Sequence, residues 1–324
     1  MIKSLAATLF FACCSLCAMA ADAPYPARPI TFIVPYPAGG ALDTVARAMG
    51  EEMGRQMGQP VVVDNRPGAA GIIGTNAVAK AQGDGYTVLV TITQSILNNQ
   101  FLFSRLLYDT RKELAFLGEI ATGRLVLVTS PGVPVHNVRE LLAWSENRNN
   151  KPAYGSWGIG SYGHLTGAYL GKSHNLNLTH VPYKGEAPMV QDLIGGQITF
   201  AFASYATVLP FIESGKLRAL AVTGDQRAEK LPGVPTLAQA GLSEPEYKVT
   251  GTIQMLVPIG TPAPVQARLE KEARTALQAT RVRARMQVLG VEPLGVDAKV
   301  ARQNFDAMYP VQQKLIAMTG AKLD

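Results

Sequence analysis

The sequence predicts an α/β protein of two lobes facing each other across a cleft. Three observations predict it. Strands alternate with helices in a first block, and the alternation restarts in a second. Each block carries a glycine-rich turn from a strand into a helix. The chain passes between blocks by short crossings, with no long flexible linker, as in a hinged pair.

The N-terminus reads as an export signal. Lys3 precedes a short apolar run, Leu5 to Leu16, and Ala18-Met19-Ala20 forms an A-x-A cleavage site. The run is too short to span a bilayer. Cleavage near Ala20 removes all three cysteines, Cys13, Cys14 and Cys17. The remaining chain then has no disulfide, thiol nucleophile or cysteine metal site. No convincing lipidation box precedes any of them, so a soluble periplasmic protein is expected.

Composition narrows the class. About 300 residues suffice for two lobes. Apolar residues make up 47% and charged residues 17%, which is globular rather than disordered. The net charge of +6 is scattered, with "RVRAR" (Arg281 to Arg285) its densest cluster. That cluster lies in a helical pattern and reads as a solvated face, so a nucleic-acid partner is not expected. His136, His174 and His180 show no metal-ligand spacing, and no metal or cofactor is expected.

In the first block "ITFIVPY" (Ile30 to Tyr36) is a buried strand. "AGG" follows, then Leu42, Val45, Ala46, Met49 and Met53 at helical spacing. "PVVVDN" is a second strand, "RPGAAGIIG" a loop, "TNAVAKA" a short helix and "YTVLVTI" a third strand. In the second block "RLVLVTS", "PAYGS", "LTHVPY", "QITFAFA" and "LRALAVT" read as strands. "NVRELLAWSEN", "HLTGAYLGK" and "APMVQDLIGG" read as helices. After "TIQMLVP" the tail is largely helical and includes a long helix containing Pro310.

The turns carry the chemistry. In "YGSWGIGSYGHL", Gly158, Gly160 and Gly163 spell G-x-G-x-x-G after a strand and before a helix. A dinucleotide site also needs an acidic residue closing the next strand, and "LTHVPY" lacks one. Anion binding and a plain tight turn both remain open. Small residues let backbone N–H groups converge, and a helix start adds partial positive charge. "YPAGGALD" repeats the device in the first block, and neither turn contains Lys or Arg. Asp43 reads equally as a helix-start carboxylate or a water-mediated ligand contact. His164 reads as structural or ligand-facing, and Lys184 as solvated or cleft-facing. Ser161 and His164 suggest an exported serine hydrolase, but Ile159 occupies the first glycine of G-x-S-x-G. No third group completes a triad, and no enzyme is expected.

Several long motifs then occur in order: "YPARPITFIVPYPAGGALDTVARAMGEEMGRQMGQPVVVDNRPGAAGIIG", "YGSWGIGSYGHL", "HVPYKGEAPMVQDLIGGQI", "ESGKLRALAVTG" and "PTLAQAGL". Over nearly the whole chain after the signal, the sequence resembles the extracytoplasmic solute receptors of tripartite tricarboxylate transporters, the Bug or TctC family. The resemblance implies a two-lobed Venus-flytrap fold of the periplasmic binding protein kind, type II-like, with the ligand cleft between lobes. It implies a small organic acid, a di- or tricarboxylate, as ligand, and a transporter's membrane subunits as partner. A monomer is expected. A sensor or interaction protein of the same fold is the alternative.

The expected lobes are residues 21–122 plus 250–324, and residues 123–249, after the signal at 1–20. By position the resemblance implies ligand contacts at Ala38, Gly39, Gly40 and Asp43, and at Thr93, Ser95 and Asn99. In the second lobe it implies Ser156, Gly160, Ser161 and His164. Where relatives often carry aspartates, this chain has Thr199 and Ala203, followed by Ser204, which is counted among the candidate contacts. Relatives also commonly place an aromatic in the returning crossover, near Thr252.

Overall fold

The computed structural model describes residues 25–248 and 251–323, so the signal peptide expected at 1–20 lies outside the described residues. Strand β1 (Ile30–Val34) leads into helix α1 (Ala41–Met57), followed by β2 (Val61–Asn65), α2 (Ile72–Ala79) and β3 (Thr87–Ile92). In α1, Leu42, Val45, Ala46, Met49, Met53 and Met57 are buried, the single face that their spacing predicts. Gly58 ends it at φ 69°, the left-handed closure that glycine adopts most readily.

After β3 a π-helical turn, Gln94–Asn98, continues as Asn99–Leu102. Strand β4 (Leu114–Gly123) then runs straight into β5 (Leu125–Thr129). The second block follows as α3 (Val138–Glu146), β6 (Ala153–Ser156), α4 (Tyr162–Ser173), β7 (Thr179–Pro182), α5 (Glu186–Ile194), β8 (Phe200–Ser204), α6 (Tyr205–Glu213) and β9 (Arg218–Val222). The chain returns through β10 (Gly251–Pro258) to α7 (Ala263–Ala276), α8 (Thr280–Val288), β11 (Val291–Val296) and α9 (Ala298–Thr319).

These elements form two sheets. The first has the order β11-β4-β10-β3-β1-β2, and the second β7-β6-β8-β5-β9. In the first, β2 and β3 flank β1 in parallel, and β10 pairs antiparallel with β3 and β4. In the second, β6 runs parallel to β7 and β8. The turns after β1 and β6 therefore leave the C-terminal ends of parallel strands, where open α/β sheets hold their ligands.

Helices cover both faces of each sheet. Phe32, Met49, Met53 and Met255 join the first sheet to α1, α7 and α8. Ile33, Leu89, Leu256 and Phe305 join its other face to α9. In the second sheet, Leu127 and Phe202 pack with Leu165 and Leu170 of α4. Leu315 and Ile316 of α9 belong to that same cluster, so the tail helix touches both blocks. Lys314 on α9 also pairs with Glu246, which is only 5% exposed.

The strands read from the sequence are present with trimmed ends. Strands β4 and β11 and helix α6 add to that reading. No helix among the described residues is long and apolar enough to cross a membrane. The two-lobed α/β architecture is therefore observed.

The first lobe's core sets a stability test. Phe32 is fully buried. Phe32→Ala should cost about 3–5 kcal/mol through lost burial and a residual cavity. Val62→Ala, at a position 52% exposed, should stay within about 0.5 kcal/mol. Urea denaturation followed by circular dichroism measures both, and equal midpoints would refute this core assignment.

Candidate functional site

Two turns leave strands and open helices, and they are built alike. In the first, Gly39 has φ 85° and its N–H donates to Oδ2 of Asp43 at 2.9 Å. In the second, Gly160 has φ 78° and its N–H donates to Nδ1 of His164 at 3.1 Å. In each, a left-handed glycine is held by the side chain four residues on, and the residue between glycine and helix is the N-cap.

The first turn holds itself with charge. Asp43 is 3% exposed. Besides Gly39 it accepts from Arg47 Nε at 3.1 Å and Asn65 Nδ2 at 3.0 Å. Burial pushes its carboxyl upward, but the hydrogen bonds from Arg47, Gly39 and Asn65 outweigh that and hold it below the usual range. Asp43 is thus ionised, paired and turned inward. Gly40 caps α1 at φ −74°, an ordinary angle, with no side chain covering the helix end. The left-handed requirement falls on Gly39 alone. Pro37 through Ala41 are exposed.

The second turn holds itself without charge. Ser161 caps α4, its Oγ accepting from the His164 N–H at 3.3 Å and donating to Gly158 O at 2.7 Å. Ser156 Oγ lies 2.8 Å from Nε2 of His180. The His164 and His180 rings stack at 4.1 Å, and Tyr154 stacks on His180 at 4.9 Å. The three glycines have distinct reasons. Gly158 and Gly160 take positive φ. A Cβ on Gly163 would meet Phe202 O at 2.8 Å, so glycine there lets the helix approach the sheet.

The hydrolase arrangement is not assembled. Ser161 Oγ bonds to Gly158 O, and the His164 ring nitrogen takes the Gly160 N–H. Ser156 and His180 are in reach of each other, but Ser156 is fully buried. No carboxylate orients His180 among the described residues. Among the described residues no His, Cys, Asp or Glu cluster could hold a metal.

The other expected positions fall in different places. Thr93 Oγ1 lies 2.8 Å from Thr252 Oγ1 and ties the end of β3 to β10. Ser95 is fully buried against Thr91 at 2.6 Å. Asn99 is fully buried too, donating to Ala70 O at 2.9 Å. Asn99 Oδ1 is buried without a partner. The Ser204 N–H donates to the Glu186 carboxylate, which also accepts from Thr207 Oγ1 at 2.8 Å and so caps α6. Lys184 is exposed and makes no ion pair among the described residues.

Two features escaped the sequence reading. His180 reaches the second turn only because β6 and β7 pair with Tyr154 opposite His180. The segment Gly68 to Gly71 is left-handed throughout, including Ala69 at 45° and Ala70 at 51°. Such strain gathers at ligand-facing turns. Tyr36, just before the first glycine turn, donates its hydroxyl to Ala70 O at 3.4 Å.

The second turn should fail in acid. Burial lowers both imidazoles from the ordinary 6.5, His180 to about 4, with His164 as its second cause. The unfolded chain binds protons that the folded stack refuses. Stability is thus present above about pH 6.5 and is lost as pH falls toward about 4. Protonated His164 also cannot accept the Gly160 N–H. Melting temperatures between pH 4.5 and 7.5 should fall toward acid, and His180→Phe should flatten the slope. An unchanged slope in His180→Phe would sink the assignment.

Comparison with known proteins gives the family and the fold. The family model for the tripartite tricarboxylate transporter family receptor matches residues 45–319. BugT of Bordetella pertussis is 34% identical over 316 residues, covering 97% of this chain and 96% of that protein. A Rhodopseudomonas palustris protein solved with adipate is 29% identical, with TM-score 0.75, covering 92% of this chain and all of that one. MatC of the same organism, solved with bound malate, is 27% identical with TM-score 0.70, over 90% of this chain and all of that one. The chain belongs to the tripartite tricarboxylate transporter receptor family of periplasmic solute-binding proteins.

Proposed function

We propose that the protein is an exported receptor that captures a small carboxylate between its lobes and hands it to the membrane subunits of a tripartite tricarboxylate-type transporter. The observation that carries this reading is the pairing of the two glycine turns. In each, the side chains bond inward to hold the turn, so the unpaired backbone N–H groups at the helix start are left as donors. In α1 these include Ala41 and Leu42, and in α4 Tyr162 and Gly163. Neither turn holds a lysine or arginine. A carboxylate there is bound by amides and helix-end partial charge. The malate and adipate found in the two similar structures support this ligand class.

On this reading, ligand contacts come from Ala38, Gly39 and Gly40 on one side and from Gly160 and Ser161 on the other. Thr93 and Ser204 border them. Asp43, Ser156 and His164 position the turns, and Ser95 and Asn99 support the first lobe from behind. This reading divides the lobes as residues 21–122 plus 250–324 and residues 123–249, with one crossing between β4 and β5 and the other before β10. Export to the periplasm rests on the signal pattern at 1–20, and a transport role rests on the family.

Titration calorimetry with malate, adipate and citrate tests the reading, with circular dichroism to verify folding. At least one acid should bind saturably. Gly39→Val and Gly160→Val should abolish binding, because β-branched residues resist positive φ. Ser161→Ala removes a helix cap worth about 1 kcal/mol and should lower affinity up to about tenfold. Lys184→Ala should change little. Loss of binding in Lys184→Ala with normal binding in both glycine variants would overturn the amide-held carboxylate.

A further inference from the structure

A second recess borders the second glycine turn through Tyr162, the first residue of α4, and is lined for the rest mainly by the first sheet and α9. It has a volume of about 320 Å³, and Asp225 and Lys248 also line it. Of the positions expected at the ligand, only Thr93 lines it. Its floor is Glu119 of β4 and Gln254 of β10, which are register partners. Its roof is α9, through Asn304, Phe305, Met308 and Gln312.

The walls hold buried polar groups without protein partners. Gln312 is 1% exposed, and neither its Nε2 nor its Oε1 meets a partner. Gln254 is 2% exposed; its Nε2 donates to Thr252 Oγ1 at 2.9 Å, while its Oε1 is unpartnered. Glu119 is 6% exposed and accepts one hydrogen bond, from Asn304 Nδ2 to Oε2 at 3.2 Å. No cation pairs with it among the described residues. Buried polar groups without partners are costly, and their occurrence together in one cavity points to an occupant that satisfies them.

The chemistry of that occupant follows from the walls. Three side-chain acceptor oxygens lack full partners, Glu119 Oε1, Gln254 Oε1 and Gln312 Oε1, and the lining Tyr162 hydroxyl and Gln312 Nε2 are also buried without one. The only lysine or arginine among its lining residues is Lys248, which is exposed, whereas Glu119 is buried without a counter-ion among the described residues. Leu97, Phe305 and Met308 add an apolar side. We propose that this recess is a second binding site, for a small molecule carrying a primary ammonium group on a short apolar stem. The ammonium donates to the three oxygens, and the stem lies against Leu97, Phe305 and Met308. Burial raises Glu119 above its ordinary range, as expected of a buried carboxyl without a counter-ion. The proposal does not rest on the carboxylate reading of the glycine turns.

Three probes with one stem and different heads test it: n-butylamine, n-butanol and butyrate. Binding is read by titration calorimetry and thermal shift on the mature protein. Butylamine should bind and raise the melting temperature, and butanol should not. Glu119→Gln and Gln312→Leu should each weaken butylamine at least tenfold, while any butyrate response should persist in both. Met308→Trp, which fills the recess from α9, should block butylamine without requiring either polar variant to fold. Absence of butylamine binding, equal binding of butanol, or butylamine binding unchanged in the variants that fold would overturn the proposal.

Discussion

The pairing of β4 with β10 is the constraint on which the rest of the structure depends. Both strands sit inside the first sheet, and both lead toward the second. Strand β4 passes into β5 with Arg124 as its only intervening residue. That residue reaches both ways. Its guanidinium lies 2.8 Å from Glu292 on β11, and it also donates to Gln226 O beyond β9. On the other side Thr252 ties β10 to Thr93 at the end of β3. The crossing is therefore fixed by main-chain pairing and trimmed by side chains, and the relative placement of the two glycine turns follows from it.

Much of this architecture is legible in the sequence. The face of α1 is periodic, and β1, β3 and β5 are short continuous apolar runs. Strand β4 is harder to read, because it shows no alternation and, unlike β1, β3 and β5, is not a continuous apolar run either. Gly118 and Glu119 also interrupt the apolar run. Strand β11 hides for the opposite reason: it is a half-exposed edge strand containing Pro293 and Gly295, which resembles a break in a helical tail. The long helix α9 is plain in sequence, but its contact with both blocks depends on tertiary packing that periodicity cannot express.

The site was legible as turns and not as roles. The glycines, the capping serine and the lack of cations are local and can be read directly. The inward turn of Asp43 requires Arg47 and Asn65, and the second of these comes from a neighbouring strand. The partner of Ser156 is His180, brought there by strand pairing. Ser95, in the π-helical turn, and Asn99, just after it, are buried, and their partners Thr91 and Ala70 could not be read from spacing. Spacing predicts where the chain bends; which way each side chain then points depends on residues far along the chain.

The parallel between the turns explains how a carboxylate can sit at the centre of a turn proposed to hold an anion. Asp43 and His164 do the same mechanical task, accepting the N–H of a left-handed glycine four residues earlier. One is anionic and the other is a neutral imidazole, yet the loops they hold are alike. Asp43 can carry its charge because Arg47 lies 3.0 Å away and cancels it locally. In the first loop what faces outward is the backbone from Pro37 to Ala41, at the positive end of a helix, whereas Gly160 of the second loop is buried. The recess under α9 has the opposite polarity, because there the groups facing inward are side-chain oxygens. Neither preference depends on the net charge of the chain. Each is set by which end of a fixed dipole the fold turns toward the open space.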